Sequence, residues 1–468
     1  MSSTGPEQSA AAPANLPRVL GAPQATAIVA GTIIGSGIFL VPYEMMRDAG
    51  SSSIVFLAWI VGGLLSLFGA MTYAELGAML PYAGGEYVYL RGAYGDTTAF
   101  LYMWTWFAVA KPASIAAMTM GLARTLAFFP AFHWLTMPVG PLQLLWSQLF
   151  AIAAAWLITG LNILGIKKAG DFQLVFTILK VVLIAVVVAF CFTSPLGSFS
   201  NFSTTLPNAL GGFGGFMAAL VATLWAYDGW SDLSGVAGEV RNPGRSLPIA
   251  LIGGLFLVGA LYMATNAAIQ YILPAAQIAA SDRPAVAALT VVAGHAGAGF
   301  VAAAMALSIF VAVNGTIMSG ARIPFAAARD GLFFRQFAHI HPRFQSPSTS
   351  LVIQGLLATF LLLLLSQFQQ FFDLAIFSEW LFYALTASTV FVYRRTRPTA
   401  NRPYKVWGYP VLPAIFVLCA AAILVSSYAD NLKASLLGTA LMLLGLPVLW
   451  LVRKLNGPST PHESSFQL

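Results

Sequence analysis

Charge is scarce in this chain. Only 8% of its 468 residues are Asp, Glu, Lys or Arg, where a soluble domain carries about 25%. So few charges cannot cover a water-facing surface of this size, which nearly excludes a soluble enzyme or a nucleic-acid-binding domain. Cysteine is scarcer still. Cys191 and Cys419 each sit inside an apolar run, so a disulfide framework is not expected and both read as buried thiols. The five histidines, His133, His295, His339, His341 and His462, are scattered over loops and ends. With no HExxH and no Ser/His/Asp grouping, a metal site, a cofactor site and a catalytic triad are all unexpected. No secretory signal is visible either. Residues 1–23 are rich in Ser, Ala and Pro, with Arg18 the one basic residue, and read as a disordered tail leading into the first apolar run.

Apolar sequence is what the chain has in abundance. Hydrophobic residues make up 58% and the mean hydropathy is +0.79. A helix that spans a bilayer needs about 20 mostly apolar residues. Twelve stretches qualify: 24–47, 53–78, 97–127, 142–163, 171–193, 209–236, 247–273, 297–322, 349–367, 372–394, 409–428 and 434–453. The first, third and sixth hold enough Gly, Pro or charge to be irregular. No loop is long enough for a folded domain, so function must sit among the spans. The longest basic-side loop, 323–348, reads as an interfacial amphipathic piece, and 274–296 reads as the longest loop on the other side.

The Lys+Arg excess, a formal net charge of +7, is explained by topology. With the N-terminus placed inside, seventeen of the 23 basic residues fall on inner segments and four on outer ones, Arg47, Arg124, Arg283 and Lys433. That asymmetry supports twelve spans with both termini cytoplasmic in a cell inner (plasma) membrane. Nucleic acid need not be invoked. Lys111 and Lys180 lie within spans.

Two spans carry interruptions. In the first, ATAIVAGTIIGSGIFLVP, Gly31 and Gly35 form a GxxxG pair that suits close helix packing. The adjacent Gly35-Ser36-Gly37 triplet favours a local break as well. Amides freed at the start of the outer half-helix can bind a carboxylate, and the carbonyls of Ile33 and Ile34 can accept from an ammonium. In the sixth span, Asp228 and Gly229 sit near the middle of an apolar run. A buried acid in a membrane costs at least a few kcal/mol and marks a functional candidate; a structural ion pair with Lys180 or Lys111 is the alternative. Asp232 is expected to face an inner vestibule. Five helices separate the two breaks, which is the parity of an inverted five-helix repeat with a site at mid-membrane. The division is a tail 1–23, a first repeat 24–194, a second repeat 209–396, two further helices over 408–455, and a tail 456–468.

With GTIIGSGIF at 31–39 and WAYDGW at 225–230, the chain resembles the amino acid–polyamine–organocation superfamily, closest to the L-type amino acid transporters and bacterial serine/threonine exchangers. YAELGAMLPYAGGEYVYLRGAYG at 73–95, GEVRNPGRSLPIA at 238–250 and VNGTIMSGARIPFAAARDG at 313–331 extend the resemblance in order over nearly the whole chain. It implies an all-α LeuT-like fold of 5+5 inverted repeats with 12 transmembrane helices, the first and sixth broken, working by alternating access. It places a substrate carboxylate on the amides of Gly35, Ser36 and Gly37. The α-amine would meet carbonyls of Ile33, Ile34, Trp225 and Ala226, with Trp225 as an aromatic gate. Tyr227, Asp228 and Ser231 complete the sixth-helix side, and Asp228 stands where a small residue is common. Lys180 matches a fifth-helix lysine of L-type relatives. Its ammonium would take the place of a sodium ion that bridges the first and eighth helices; a snorkelling lysine is the alternative. Lys111 is either substrate-facing or paired with Asp228 or Glu379.

The function expected is sodium-independent exchange or facilitated transport of a neutral L-amino acid, not catalysis. A neutral substrate follows if Lys111 or Lys180 neutralises Asp228. An unpaired Asp228 would favour a cationic side chain, so a proton-coupled symporter or a cationic amino acid or polyamine permease is the runner-up. A membrane-embedded enzyme and a channel are weaker readings. The loop after the third span, FFPAFHWLTMPVG, lacks the cysteine through which animal L-type chains join a heavy chain, so no disulfide-linked partner is expected.

Overall fold

The computed structural model describes residues 16–139, 144–364, 368–430 and 432–456. The expected tail over 456–468, after Asn456, and the first fifteen residues of the tail 1–23 lie outside the described residues. The chain is almost wholly helical: α1 (Ala22–Ile33), α2 (Gly37–Ala49), α3 (Ser52–Met79), α4 (Glu86–Tyr94), α5 (Asp96–Thr105), α6 (Lys111–Leu126), α7 (Trp146–Ile163), α8 (Ile166–Thr193), α9 (Gly212–Ala226), α10 (Asp232–Gly235), α11 (Pro243–Ile272), α12 (Ala275–Ala280), α13 (Pro284–Gly320), α14 (Arg322–Arg329), α15 (Ser348–Leu364), α16 (Phe368–Thr396), α17 (Val411–Asp430), α18 (Leu432–Leu443) and α19 (Gly445–Asn456).

Helix occupies each of the twelve apolar stretches. Eight helical stretches among the described residues are long and apolar enough to cross a membrane, and α1 with α2 form a ninth that is bent by 41°. A multi-pass membrane protein follows, because backbone polar groups in lipid are satisfied only within helices or closed barrels. Exposure supports the assignment. The α5–α6 stretch is 72% buried within the protein, whereas α8 is 28% buried and presents Val175, Ile178 and Val182 outward.

Glycine decides where helices stop and where they touch. Gly50 closes α2 in the left-handed region, φ +70°, with its amide donating to Met46. A Cβ on Gly31 would collide with Gln173 and Thr177 of α8, and one on Gly315 with Thr32 of α1. The close contacts of α1 with α8 and α13 therefore depend on small residues.

One end of the bundle, where Leu20 pairs with Val240 ahead of α1, is tied by ion pairs. Arg322 and Glu239, both fully buried, meet at 2.8 Å, and Arg322 also donates to the Met318 carbonyl. Glu75 accepts from Arg394 at 2.7 and 2.9 Å, and Arg91 meets Asp330 at 2.7 Å.

One loop expectation is corrected. The stretch 274–296 is mostly helical: α12 fills part of it, and α13 starts at Pro284, which suits a first helical turn. The α13 axis kinks at Ala293 and Gly294 instead. In the stretch 323–348, α14 is buried and Phe333 packs on Phe100, Phe107 and Phe337, while Arg335, Gln336 and Arg343 are exposed.

Candidate functional site

The two interruptions meet. α1 ends at Ile33 and α2 starts at Gly37; α9 ends at Ala226 and α10 starts at Asp232. A Cβ on Gly37 would lie 3.3 Å from the Ala226 Cα, and Gly229, at φ +106°, lies against the Thr32 main chain. A side chain at Gly37 would press on Ala226, and the Gly229 backbone conformation is one that favours glycine. Between the breaks lies a cavity of about 140 Å³, room on the order of ten water-sized spheres. The α1–α2 break contributes Thr32, Ile33, Gly35, Ser36 and Gly37 to its wall; the α9–α10 segment contributes Trp225, Ala226, Asp228, Gly229 and Asp232. The rest of the wall comes from α6, α13 and Glu379 of α16.

The first break offers main-chain donors. Among the described residues, the amides of Ser36, Gly37 and Ile38 at the start of α2 find no protein acceptor. Three such amides at the positive end of a 13-residue helix form an anion cradle. The Gly35 amide is not part of it, because it donates to the Ile33 carbonyl at 2.8 Å.

Lys180 is fully buried, and its Nζ donates to the carbonyls of Gly31 at 2.6 Å and Ile34 at 2.7 Å. These are last-turn carbonyls that a broken helix leaves unmet, and a cation suits the negative end of α1. It does not snorkel, and it does not reach α13. The expected bridge between the first and eighth spans is made by other groups. Asn314 of α13 donates to Gln173 of α8 at 2.7 Å and accepts from Asn162 of α7 at 2.8 Å, while Thr177 of α8 donates to Ala27 of α1 at 3.2 Å. Ile34, buried and engaged by Lys180, is turned away from the cavity, contrary to its expected role as an acceptor for substrate.

Tyr262 of α11 joins the two breaks. Its hydroxyl lies 3.0 Å from the Ile33 carbonyl and 3.1 Å from the Ala226 carbonyl, and its proton can serve either. Nothing in the sequence singles this residue out, because a tyrosine in an apolar span resembles any core aromatic.

The second break offers side chains. Lys111 follows a π-helical turn, Trp106–Ala110, and precedes Pro112; such turns re-aim the residues after them. Its Nζ meets Asp232 at 2.5 Å, and Ser319 donates to the same oxygen at 2.7 Å. The pairing with Asp228 or Glu379 is thus replaced by one with Asp232, which lines the cavity. Asp228 has neither lysine as partner. It accepts from the Tyr383 hydroxyl at 2.7 Å, and Tyr383 is held by stacking on Trp230 at 5.4 Å. Ser231 is buried behind this pair at 3.1 Å from the Tyr383 hydroxyl, outside the cavity wall. Tyr227 also points away, packing on Trp59 and Tyr262. No group of three or more His, Cys, Asp or Glu suited to a metal is found among the described residues.

Comparison with known proteins shows the family of the chain. Residues 20–451 match the family model described as amino acid permease. The serine/threonine exchanger SteT of Bacillus subtilis (strain 168) is 32% identical over 441 residues, covering 92% of this chain and 95% of that protein. The human b(0,+)-type amino acid transporter 1 is 31% identical over 407 residues, 86% of this chain and 81% of its own length. The mouse large neutral amino acids transporter small subunit 2 is 30% identical over 467 residues, 96% and 84%.

Proposed function

The chain belongs to the amino acid permease family, within the amino acid–polyamine–organocation superfamily, and on that footing we propose that it exchanges small or medium neutral L-amino acids by alternating access, without sodium. The observation that carries this reading is the cavity between two helix breaks, with free amides on one wall and polar side chains on the other. A zwitterion needs both. Its carboxylate fits the amides of Ser36, Gly37 and Ile38. Its ammonium fits the second lone pairs of the Ile33, Trp225 and Ala226 carbonyls, while Trp225 covers the cavity.

Sodium independence rests on Lys180. A fixed ammonium on the Gly31 and Ile34 carbonyls already supplies the positive charge that a cation would bring to the end of α1. The alternating-access reading takes twelve crossings, an inverted repeat over 24–194 and 209–396, and both termini on the cytoplasmic side of an inner (plasma) membrane. The basic asymmetry of the segments supports that orientation. The cargo is the amino acid, and no disulfide-linked heavy chain is required.

The test is counterflow in proteoliposomes. Uptake of labelled serine, threonine or alanine should be stimulated by internal neutral amino acid and unchanged when choline replaces sodium at fixed voltage. Uptake that collapses without sodium would refute the ion assignment. A second reading is favoured by one observation: the lysines leave Asp228 unneutralised, which suits a cationic side chain. In competition, neutral amino acids should outrank arginine and glutamate. Inhibition by arginine or a polyamine, with none by neutral amino acids, would promote the cationic reading.

A further inference from the structure

Glu86 opens α4, within the motif at 73–95, and has no part in the roles above. It is outside the cavity wall, yet it is only 3% exposed. One of its carboxyl oxygens accepts from the Tyr102 hydroxyl at 2.5 Å, and the other is buried without a partner. A carboxyl group buried with so little compensation is costly, and what its one strong bond fixes is the Tyr102 ring. That ring lies 5.1 Å from the Trp106 ring and meets Phe382 of α16 edge-on at 5.3 Å. Trp106 is buried and begins the π-helical turn that precedes Lys111.

Trp106 touches both polar pairs of the second break. The Lys111 ammonium stands over its ring at 5.3 Å, while holding Asp232. The Tyr383 ring, whose hydroxyl is bonded to Asp228, lies 6.1 Å from it. An ammonium has three protons to donate. Among the described residues, that of Lys111 makes one hydrogen bond, to Asp232, and Lys111 lines the cavity. A donor is therefore left for a side-chain oxygen of a bound amino acid. A hydroxyl can use it and a methyl group cannot.

We propose that Glu86, acting through Tyr102 and Trp106, is a positioning residue that keeps the Lys111 ammonium on Asp232 and away from Asp228, where it serves the side-chain hydroxyl of the substrate. This rests on the reading that the cavity binds a neutral amino acid. The Glu86–Tyr102 bond fixes the phenol ring, the ring fixes the indole, and the indole with its π-turn sets where Lys111 points. Asp228 and Glu379 line the same cavity and are the competing partners. When the bond is removed, Lys111 turns towards them and the hydroxyl loses its donor. Alanine, which presents only a methyl group, does not sense the change.

The test uses the full-length protein in proteoliposomes loaded with alanine, and compares KM for external serine with KM for external alanine. Tyr102→Phe removes one hydroxyl and keeps the ring. Its serine KM should rise about two- to tenfold, the worth of one hydrogen bond, while its alanine KM stays at the wild-type value. Glu86→Ala should act likewise, and the two changes together should do no more than either alone, because both remove the same bond. Glu86→Gln still accepts from Tyr102 and should restore the wild-type ratio. Lys111→Met should also weaken serine relative to alanine, and Tyr102→Phe added to it should have no further effect on that ratio. A serine-to-alanine ratio unchanged in Tyr102→Phe, whether both KM values rise together or neither moves, would overturn the positioning role. Additive effects of Tyr102→Phe and Lys111→Met would overturn the route through Trp106. Absence of both exchanges in the wild-type protein would instead overturn the amino acid reading, and the positioning role with it.

Discussion

The break between α1 and α2 takes three residues and faces the cavity with main chain, whereas the break between α9 and α10 takes five and faces it with carboxylates. Around the first, a buried lysine and a tyrosine hydroxyl hold carbonyls in place. Around the second, side chains hold one another: Lys111 with Asp232, and Tyr383 with Asp228. Main-chain groups recognise what all amino acids share, and side chains recognise what differs between them. The first break should therefore govern whether any substrate binds, and the second which one is preferred.

The largest expected effect is at Gly37. Gly37→Val places a branched side chain where a Cβ alone comes within 3.3 Å of Ala226, and it should abolish binding of every amino acid while the purified protein stays folded. Wild-type affinity in that variant would break the division between the two regions. Lys180→Ala should follow. It strips two buried carbonyls of their donor, at about 1–3 kcal/mol each, and serine transport should fall at least about tenfold while yield and insertion are kept. Tyr262→Phe removes one hydroxyl shared by both breaks, a hydrogen bond worth about 0.5–1.5 kcal/mol. Affinities should weaken by a similar factor for all substrates, and a change confined to one side-chain class would move Tyr262 into the selective region. Smallest is Gly35→Ala. A Cβ there meets nothing nearer than the Ile33 carbonyl at 4.0 Å, so serine affinity should change only a few-fold in binding assays.

The two regions were also unequally legible. The Gly35-Ser36-Gly37 triplet and Asp228 stand out because each conflicts with an otherwise apolar span. The same conflict could not assign partners. Lys111 and Asp232 are 121 positions apart, and Asp228 seemed an equally good mate for that lysine until α6, α10 and α16 were brought side by side. Tyr262 and Tyr383 carried no signal at all, because only packing shows that a hydroxyl reaches a polar group. Tyr227 and Ser231 share a short motif with Asp228, yet the turn directs them elsewhere.

Composition and apolar run length, which act locally along the chain, determined by themselves that this is a multi-pass helical membrane protein and where its spans must break, because lipid tolerates neither unmet backbone nor free charge. Tertiary structure alone decided which amides stay free, which lysine neutralises which acid, and which carbonyls are already taken. Those outcomes depend on ångström-scale distances between helices remote in sequence, and helix phase and neighbour identity, not residue type, set those distances.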